Sequence, residues 1–316
     1  MTEPAHVYRR RRATALAGLA GILILAFLAV RSCGGEAPVQ AGAGPTQEAA
    51  AAEVPPELPR GGRRIFPDFR VVAFYGAPQD DALGALGVGT PAQAGRRLRR
   101  VARGYAKKTR PVLPAFELIS TIAAAHPGDD GLYRMHQPNA VIARYLRAAR
   151  KAKALLVLDV QPGRGDFLSE VQRLERWLRE PDVGIALDPE WRVGPGEVPG
   201  KVIGSVTADE VNAVSDYVAR IVADRNLPEK LFVVHQFTSG MIQNKERVAK
   251  RRGLAMTMNV DGFGDRPNKI SKYTQFTSEL TRFHDGFKLF YDEDTNLMSP
   301  GAVLQLRPPP DLVVYE

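Results

Sequence analysis

The sequence predicts an α/β protein, a closed (β/α)8 TIM barrel. From residue 70 onward, eight short runs of β-branched and aliphatic residues alternate with segments whose apolar residues recur at helical spacing. Most of these runs are followed directly by polar residues, as expected at the carboxyl ends of barrel strands. The spacing of the runs is also typical of this fold. An open, doubly wound sheet is the alternative, because a strand count from sequence can be wrong by one or two.

The strands and helices are predicted from these patterns in order. The eight strands are expected at residues 71–75, 112–116, 155–160, 183–187, 231–236, 254–260, 287–291 and 312–315. Apolar residues at three- and four-residue spacing predict helices around Leu98, Ile142, Val171 and Val218. The sequence from Thr207 to Glu210 is a capping box that starts the fourth of these helices. Ser299 before Pro300 predicts a short helix ahead of the last strand.

The residues before the barrel divide into three segments. Residues 1–12 form a basic tail that ends in four arginines, and residues 13–30 are an apolar run of 18 residues. This length suits a transmembrane or signal-anchor helix, and the basic flank holds the amino end in the cytoplasm. Residues 31–64 form an Ala/Pro/Gly-rich linker with little apolar surface to bury, followed by the barrel domain at 65–316. The expected localisation is therefore the plasma membrane, single-pass, with the carboxyl-terminal domain outside the cytoplasm.

Cys33, the only cysteine, follows the apolar run at the place where a bacterial lipoprotein carries its acylated residue. Arg31 fits that lipidation signal badly, so an uncleaved anchor is favoured, with a lipid anchor or secretion as alternatives. With one cysteine the chain cannot form an internal disulfide.

The net charge is +8, and eight basic residues fall within 96–110. This run is interpreted as a solvated helix face or, alternatively, a contact with anionic lipid or an acidic polymer. No nucleic-acid partner is expected, because the domain is predicted to be exported.

The stretch 183–191 reads VGIALDPEW, a buried strand that ends in two acids and an indole. In a parallel barrel the carboxyl ends of all strands share one face, so the polar residues there predict a site. The predicted catalytic residues are Glu190 as the acid, with Asp261 or Asp292 as its partner. The predicted substrate-binding residues are Tyr75, Glu117, Asp159, Gln161, Asp188, Trp191, His235, Gln236 and Asn259.

Carboxylates, amides, an imidazole and aromatic rings in one cup suit a carbohydrate. The sugar hydroxyls bind the polar groups, and the apolar faces of the sugar stack on the aromatic rings. Glycoside cleavage needs one protonated and one ionised carboxyl group. Glu190 beside Trp191 is expected to have a raised pKa through desolvation. Asp159 and Asp188 are equally well explained as acids that bind loop amides. His235 is expected to be a hydrogen-bonded wall residue, because no second histidine has ligand spacing to it.

No metal or other cofactor is predicted. The segment from Asp292 lacks the glycine and the closing acid of a calcium loop. HExxH, Walker A, GxSxG and paired CxxC motifs do not occur. A phosphodiesterase acting on lipid headgroups would need a histidine pair or a metal cluster that the sequence does not reveal.

Four short segments carry a resemblance: FYGAP from Phe74, LDVQPG from Leu158, LDPEW from Leu187 and HQF from His235. In these segments the chain resembles the membrane-anchored or lipoprotein-like TIM-barrel proteins of high-GC actinobacteria. Those proteins look like distant relatives of glycoside hydrolases. The resemblance implies the barrel fold and an envelope location, and it transfers no catalytic residue. Two functions follow as hypotheses: a glycosidase-like enzyme acting on a cell-envelope glycan, or a non-catalytic glycan-binding or scaffold protein. The sequence does not give the oligomeric state.

Overall fold

A computed structural model describes residues 54–279 and 282–316, and its core is a closed barrel of eight parallel strands. The barrel strands are β1 (Arg70–Gly76), β2 (Val112–Ala123), β4 (Leu155–Val160), β5 (Val183–Leu187), β7 (Lys230–Gln236), β9 (Leu254–Val260), β10 (His284–Leu289) and β11 (Leu312–Tyr315). Strand β1 pairs in parallel with both β2 and β11, which closes the ring. This closure excludes the doubly wound alternative, and the eight strands are found where they were predicted, with two differences of more than one residue in their bounds. The second strand extends to Ala123, and the strand predicted at 287–291 runs from His284 to Leu289.

The helices lie outside the barrel. They are α1 (Pro91–Ala102), α2 (Asn139–Lys151), α3 (Phe167–Arg173), α4 (Glu175–Leu178), α5 (Ala208–Asp224), α6 (Arg266–Glu279) and α7 (Pro300–Val303). The predicted capping box is confirmed at the start of α5, where Thr207 accepts from the Glu210 backbone N–H. The Ser299 cap of α7 is also confirmed. The single helix expected around Val171 is divided into α3 and α4 at Leu174.

Three short strands and one helix were not predicted. Strand β3 (Arg134–His136) pairs antiparallel with the end of β2, and β6 (Val206–Thr207) pairs with β8 (Ile242–Gln243) in a small separate sheet. Strands of two or three residues are too short to show alternation in the sequence. Helix α6 has a mostly polar sequence, so its apolar stripe is weak. These elements add to the barrel without changing its strand order.

The barrel interior changes from apolar to polar along the strands. At the amino ends the inward positions are aliphatic and buried: Val71, Leu113, Leu155, Leu231 and Leu312. The segment before β1 packs on this layer through Leu58, Ile65 and Phe66. The other face of the strands packs on the helices through large apolar residues such as Phe74, Phe116 and Phe232. The inward-facing side chains are therefore apolar at the amino ends of the strands and polar at the carboxyl ends.

The predicted anchor at 13–30 and the lipidation candidate Cys33 lie outside the described residues. Within residues 54–279 and 282–316, every helix is too short or too polar to cross a bilayer. The described end of the expected linker contacts the domain: Leu58 is buried, and the Arg63 guanidinium donates to the backbone oxygen of Leu227 at 3.0 Å.

Candidate functional site

A ring of buried polar side chains occupies the carboxyl ends of the barrel strands. Inward positions alternate along a strand, so Leu155 and Val157 of β4 are followed on the same face by Asp159. The same alternation brings one polar residue from each of several other strands to this layer. They are Tyr75 on β1, Glu117 on β2, His235 on β7, Asn259 on β9 and Lys288 on β10, all buried. The fold thus gathers residues that are distant in sequence into one buried polar layer, which we call the cup.

His235 lies at the centre of this ring between two carboxylates. Its Nε2 atom is 2.9 Å from Glu117 Oε1, and its Nδ1 atom is 2.9 Å from Asp261 Oδ2. Both contacts are hydrogen bonds to an anion only when both ring nitrogens carry a proton. Burial lowers the pKa of His235, but the hydrogen bonds to Asp261 and Glu117 outweigh burial and raise the pKa well above its ordinary value. His235 is therefore an imidazolium that holds two acids in place.

Asp261 receives a second cation from Lys288. The Lys288 Nζ atom is 3.1 Å from Asp261 Oδ2, 2.6 Å from Glu316 Oε2 and 3.9 Å from the centre of the Tyr75 ring. The other Asp261 oxygen accepts from the Gly262 backbone N–H at 2.6 Å. Burial raises the pKa of Asp261, but Lys288 and His235 together hold it far below its ordinary range. Asp261 is therefore an ionised carboxylate across the whole physiological pH range.

The pKa of Glu190 is displaced in the opposite direction to that of Asp261. Glu190 lies in the short 3₁₀ helix Pro189–Trp191 directly after β5, and only 6% of it is exposed. Burial raises the pKa of Glu190 well above its ordinary value, and the negative charge of Asp261 raises it further. Lys288 and His235 act in the opposite direction but do not cancel these two effects. The pKa values of these two carboxyl groups, which influence each other, are therefore displaced in opposite directions.

A second hydrogen-bonded chain joins β1 to β4. The Tyr75 hydroxyl donates to Asp159 Oδ2 at 3.1 Å and accepts from Gln161 Nε2 at 2.9 Å. Gln161 in turn accepts from the Ala123 backbone N–H at 3.1 Å. Burial and the neighbouring Asp188 raise the pKa of Asp159 well above its ordinary value. Its Oδ1 atom is buried and has no hydrogen-bond partner among the described residues.

The remaining predicted residues occupy the edge of this cup or lie outside it. Asp188 is buried beside Asp159, and Gln236 is buried with its amide donating to the Thr238 backbone oxygen at 3.2 Å. Trp191 is half-buried at the end of the 3₁₀ helix. Asp292 is exposed and lines an outer groove of about 510 Å³, which adjoins the network at Glu316 and also includes Tyr291 and Arg97. The structure therefore brings Asp261, and not Asp292, into the buried ionic network around Glu190.

Lys288 and Glu316 were missed as site residues. Lys288 lies inside the strand predicted at 287–291, whereas the sequence search considered the acids, amides and rings that follow strands. A lysine within an otherwise apolar strand was the available signal, because a buried lysine needs anionic partners. Glu316 directly follows β11 and pairs with Lys288. Its position after the last strand was equally visible in the sequence.

Glu117, Asp159 and His235 could also be considered as metal ligands, since one atom from each lies within 4.8 Å of the others. The donor set is poorly suited to this role as it stands. Both nitrogens of His235 face carboxylates, and a protonated imidazole cannot ligate a cation. Metal binding would require His235 to lose a proton and one carboxylate partner.

The fold and the site together define a TIM barrel with a buried ionic cup at the carboxyl ends of its strands. No family model and no curated protein matches the chain. Among solved structures, a D-allulose 3-epimerase from Methylomonas sp. is similar over 79% of this chain and 84% of that chain, at 11% identity and a TM-score of 0.36. Similarity at this level carries no argument about activity, so function must be argued from the cup.

Proposed function

We propose that the chain is a glycoside-hydrolase-like barrel that acts on a cell-envelope carbohydrate. Glu190 is the general acid and Asp261 is the ionised partner. The observation that carries the proposal is that the pKa values of these two acids are displaced in opposite directions: burial and the charge of Asp261 raise the pKa of Glu190, while Lys288 and His235 lower the pKa of Asp261. This is the division of labour that glycoside cleavage requires.

In the proposed reaction, each carboxyl group has the role that its pKa suits: proton donor for Glu190 and carboxylate for Asp261. Glu190 donates its proton to the glycosidic oxygen as the bond to the anomeric carbon breaks, and the leaving sugar departs as an alcohol. The Asp261 carboxylate attacks the anomeric carbon as the nucleophile and forms a glycosyl–enzyme bond. A water molecule then breaks that bond and passes its proton to Glu190, because a carboxylate with so low a pKa is a poor base. Lys288 and His235 are positioning residues, because they act on the substrate through Asp261.

Substrate binding is assigned to the rest of the cup. The half-buried indole of Trp191 is adjacent to Glu190 in the chain and offers an apolar face for a sugar ring. Asp188, Gln236 and Asn259 provide polar groups for hydroxyls, and the Gln236 Oε1 and Asn259 Oδ1 atoms are buried without a partner among the described residues. Glu117, Asp159, Gln161 and Tyr75 support this layer through the hydrogen bonds given above.

The test is hydrolysis by the full-length chain of envelope polysaccharide, peptidoglycan fragments and aryl glycosides. Glu190→Gln should lower kcat by about 10²- to 10⁴-fold on substrates with poor leaving groups. The loss should be much smaller on dinitrophenyl glycosides, whose leaving group needs no proton. Asp261→Asn should impair both kinds of substrate, and Glu246→Gln, at an exposed position, should impair neither. Equal activity of Glu190→Gln and the parent chain, or no turnover of any substrate, would refute the enzymatic proposal.

A second candidate function is non-catalytic glycan binding or envelope scaffolding. It is favoured because polar groups of the cup already bind one another. Both nitrogens of His235 and both oxygens of Asp261 have hydrogen-bond or ion-pair partners within the described residues. Such a network also stabilises a fold without any chemistry. Glycan binding without turnover, retained when Glu190, Asp261 and Asp292 are all replaced by amides, would support this function over the enzyme.

The envelope location is proposed from the apolar run at 13–30 and from the resemblance to membrane-anchored barrel proteins of high-GC actinobacteria. A reporter enzyme that is active only outside the cytoplasm, fused after residue 316, should be active. Activity should disappear when Leu23 and Leu25 are both replaced by arginine, because a charged segment does not insert. An inactive fusion with the unaltered segment would place the domain in the cytoplasm.

A further inference from the structure

A groove between helices α1 and α2 carries an unusual concentration of positive charge. Its volume is about 450 Å³, and its basic lining residues are Arg96, Arg99, Arg144, Arg147 and Lys151, all exposed. Small residues allow the two helices to approach at the floor of the groove. A Cβ atom on Gly95 of α1 would lie 3.6 Å from the Cβ of Ala152 at the end of α2. The groove is therefore a concave surface built by helix packing and lined by cations.

The charge in this groove is not neutralised by the domain itself. None of the five basic residues forms an ion pair with an acid of residues 54–279 or 282–316. Arg150, on another face of α2, shows the contrast, because it forms ion pairs with Asp182 at 2.7 Å and with Glu180 at 2.6 Å. The positive potential extends to Arg60, whose pKa is lowered by burial and by the charge of Arg99. A surface of this kind attracts an anion.

We propose that this groove binds the phosphate groups of anionic lipids at a membrane surface. Four of the five basic residues are arginines, whose planar guanidinium groups bind phosphate through paired hydrogen bonds. The chain also enters the domain next to the groove: Arg60, ahead of β1, donates to the Lys153 backbone oxygen at 3.4 Å, two residues beyond Lys151. The segment that leads from the predicted anchor thus reaches the domain beside its basic groove.

This arrangement would orient the barrel on the membrane. The segment before β1 packs at the amino ends of the strands, whereas the ionic cup lies at their carboxyl ends. A domain held at the α1–α2 groove and at its entering chain contacts the lipid surface through its helical outside, and not through the cup. The groove's ligand chemistry does not depend on the glycosidase proposal, because no residue of the groove belongs to the cup.

Binding is tested on the full-length chain in a zwitterionic detergent with three soluble probes. The probes are short-chain phosphatidylglycerol below its critical micelle concentration, short-chain phosphatidylcholine and inorganic phosphate, each followed by calorimetry. Phosphatidylglycerol should bind at least about tenfold more tightly than phosphatidylcholine, and neutralisation of each basic residue should weaken its binding by roughly fivefold. If inorganic phosphate binds as tightly as phosphatidylglycerol, the groove binds a soluble phosphate ligand, and the proposal that it binds membrane lipids is refuted.

The decisive variant replaces Arg96, Arg99, Arg144 and Arg147 by glutamine. Its matched control replaces four exposed basic residues elsewhere, Lys201, Arg225, Lys250 and Arg252, which removes the same charge from other surfaces. Only the groove variant should lose phosphatidylglycerol binding, with unchanged circular dichroism and unchanged turnover or glycan binding. Equal losses in both variants would show general charge attraction and refute a site, as would retained binding in the groove variant. Arginine-to-lysine replacements in the groove should keep part of the affinity.

Discussion

Lys288 and His235 approach the same oxygen of Asp261, at 3.1 Å and 2.9 Å respectively, so one buried carboxylate is held between two cations. The three residues come from β10, from β7 and from the position directly after β9, so neighbouring strands of the barrel supply them. Each charge is stable at this depth only because the others are present. The network therefore acts as one unit, and its members should respond to mutation as a unit.

Lys288→Met should destabilise the domain strongly. The change leaves Asp261 and Glu316 without their shared cation, and breaking a buried ion pair costs about 3–5 kcal/mol. Urea denaturation followed by circular dichroism measures the free energy of unfolding. Lys250→Met, at an exposed position, is the control and should change it by less than about 0.5 kcal/mol. In a double-mutant cycle, Asp261→Asn with Lys288→Met should cost less than the sum of the single changes, and simple additivity would contradict the coupling.

Glu190→Gln should change how stability depends on pH. The folded-state pKa of Glu190 is raised above its ordinary value of 4.5, so its contribution to stability is complete below that pH. It is lost as pH rises toward the folded-state pKa, because the unfolded chain releases the proton first. Glutamine has no proton to release. The variant should therefore gain stability relative to the parent chain as pH rises from 4.5 toward the folded-state pKa of Glu190.

The measurement for this prediction is a series of urea denaturation curves at pH values across that window. Glu246→Gln, at an exposed position, is the matched control and should give a difference from the parent chain that does not vary in this way. A Glu190→Gln difference that is constant across the window would show that Glu190 titrates alike in the folded and unfolded chains.

His235 should contribute a pH dependence of the same sign in a higher window. Its folded-state pKa is raised above the ordinary value of 6.5, so its stabilising charge is complete below pH 6.5 and is lost as pH rises through the folded-state value. Replacement by glutamine should therefore cost most at acidic pH and progressively less at alkaline pH. NMR titration of the imidazole Cε1–H should show a protonated ring at pH 7, and a neutral ring there would contradict the network.

Tyr75→Phe should destabilise the fold by about 1–3 kcal/mol, because it removes a hydroxyl that both donates to Asp159 and accepts from Gln161 in a buried site. Tyr291→Phe is the control, since Tyr291 is 40% exposed and lies on the outer groove. Thermal denaturation of the two variants gives the comparison. Equal melting temperatures would mean that the chain from Gln161 to Asp159 adds nothing to stability.

Thr207→Ala should cost about 1 kcal/mol through loss of the helix cap. The Thr207 hydroxyl accepts from the Glu210 backbone N–H, and Glu210 reaches back to the Thr207 backbone N–H at 3.3 Å. Ser271→Ala, at an exposed position within α6, should leave the free energy of unfolding nearly unchanged. Similar urea midpoints for the two variants would show that the capping box is not stabilising.

The eight barrel strands could be predicted from sequence because each contains a local run of apolar residues, and such a run is visible without knowing which strands lie beside it. The capping box at Thr207 and the placement of polar residues after the strands are local in the same sense. The residues at 134–136, 206–207 and 242–243 form strands only because partners lie beside them in space, so local pattern could not reveal them.

Some residues of the cup could also be predicted from the sequence. Glu190, Asp261 and His235 were predicted as neighbours because parallel strands must end on a shared face. The sequence could not assign partners, because His235 and Glu117 are separated by 118 positions and meet only through the register of a closed barrel. The same register turns Lys288 inward and leaves Asp292 on the outer groove.

The amino-acid sequence alone thus determined which segments become strands and which strand ends carry acids, since both follow from local alternation and hydrophobicity. Protonation states and charge pairing were decided by three-dimensional proximity. The pKa of Asp261 is lowered and the pKa of Glu190 is raised by the groups that surround each of them. Burial and Coulomb interactions depend on barrel closure and not on the order of residues along the chain.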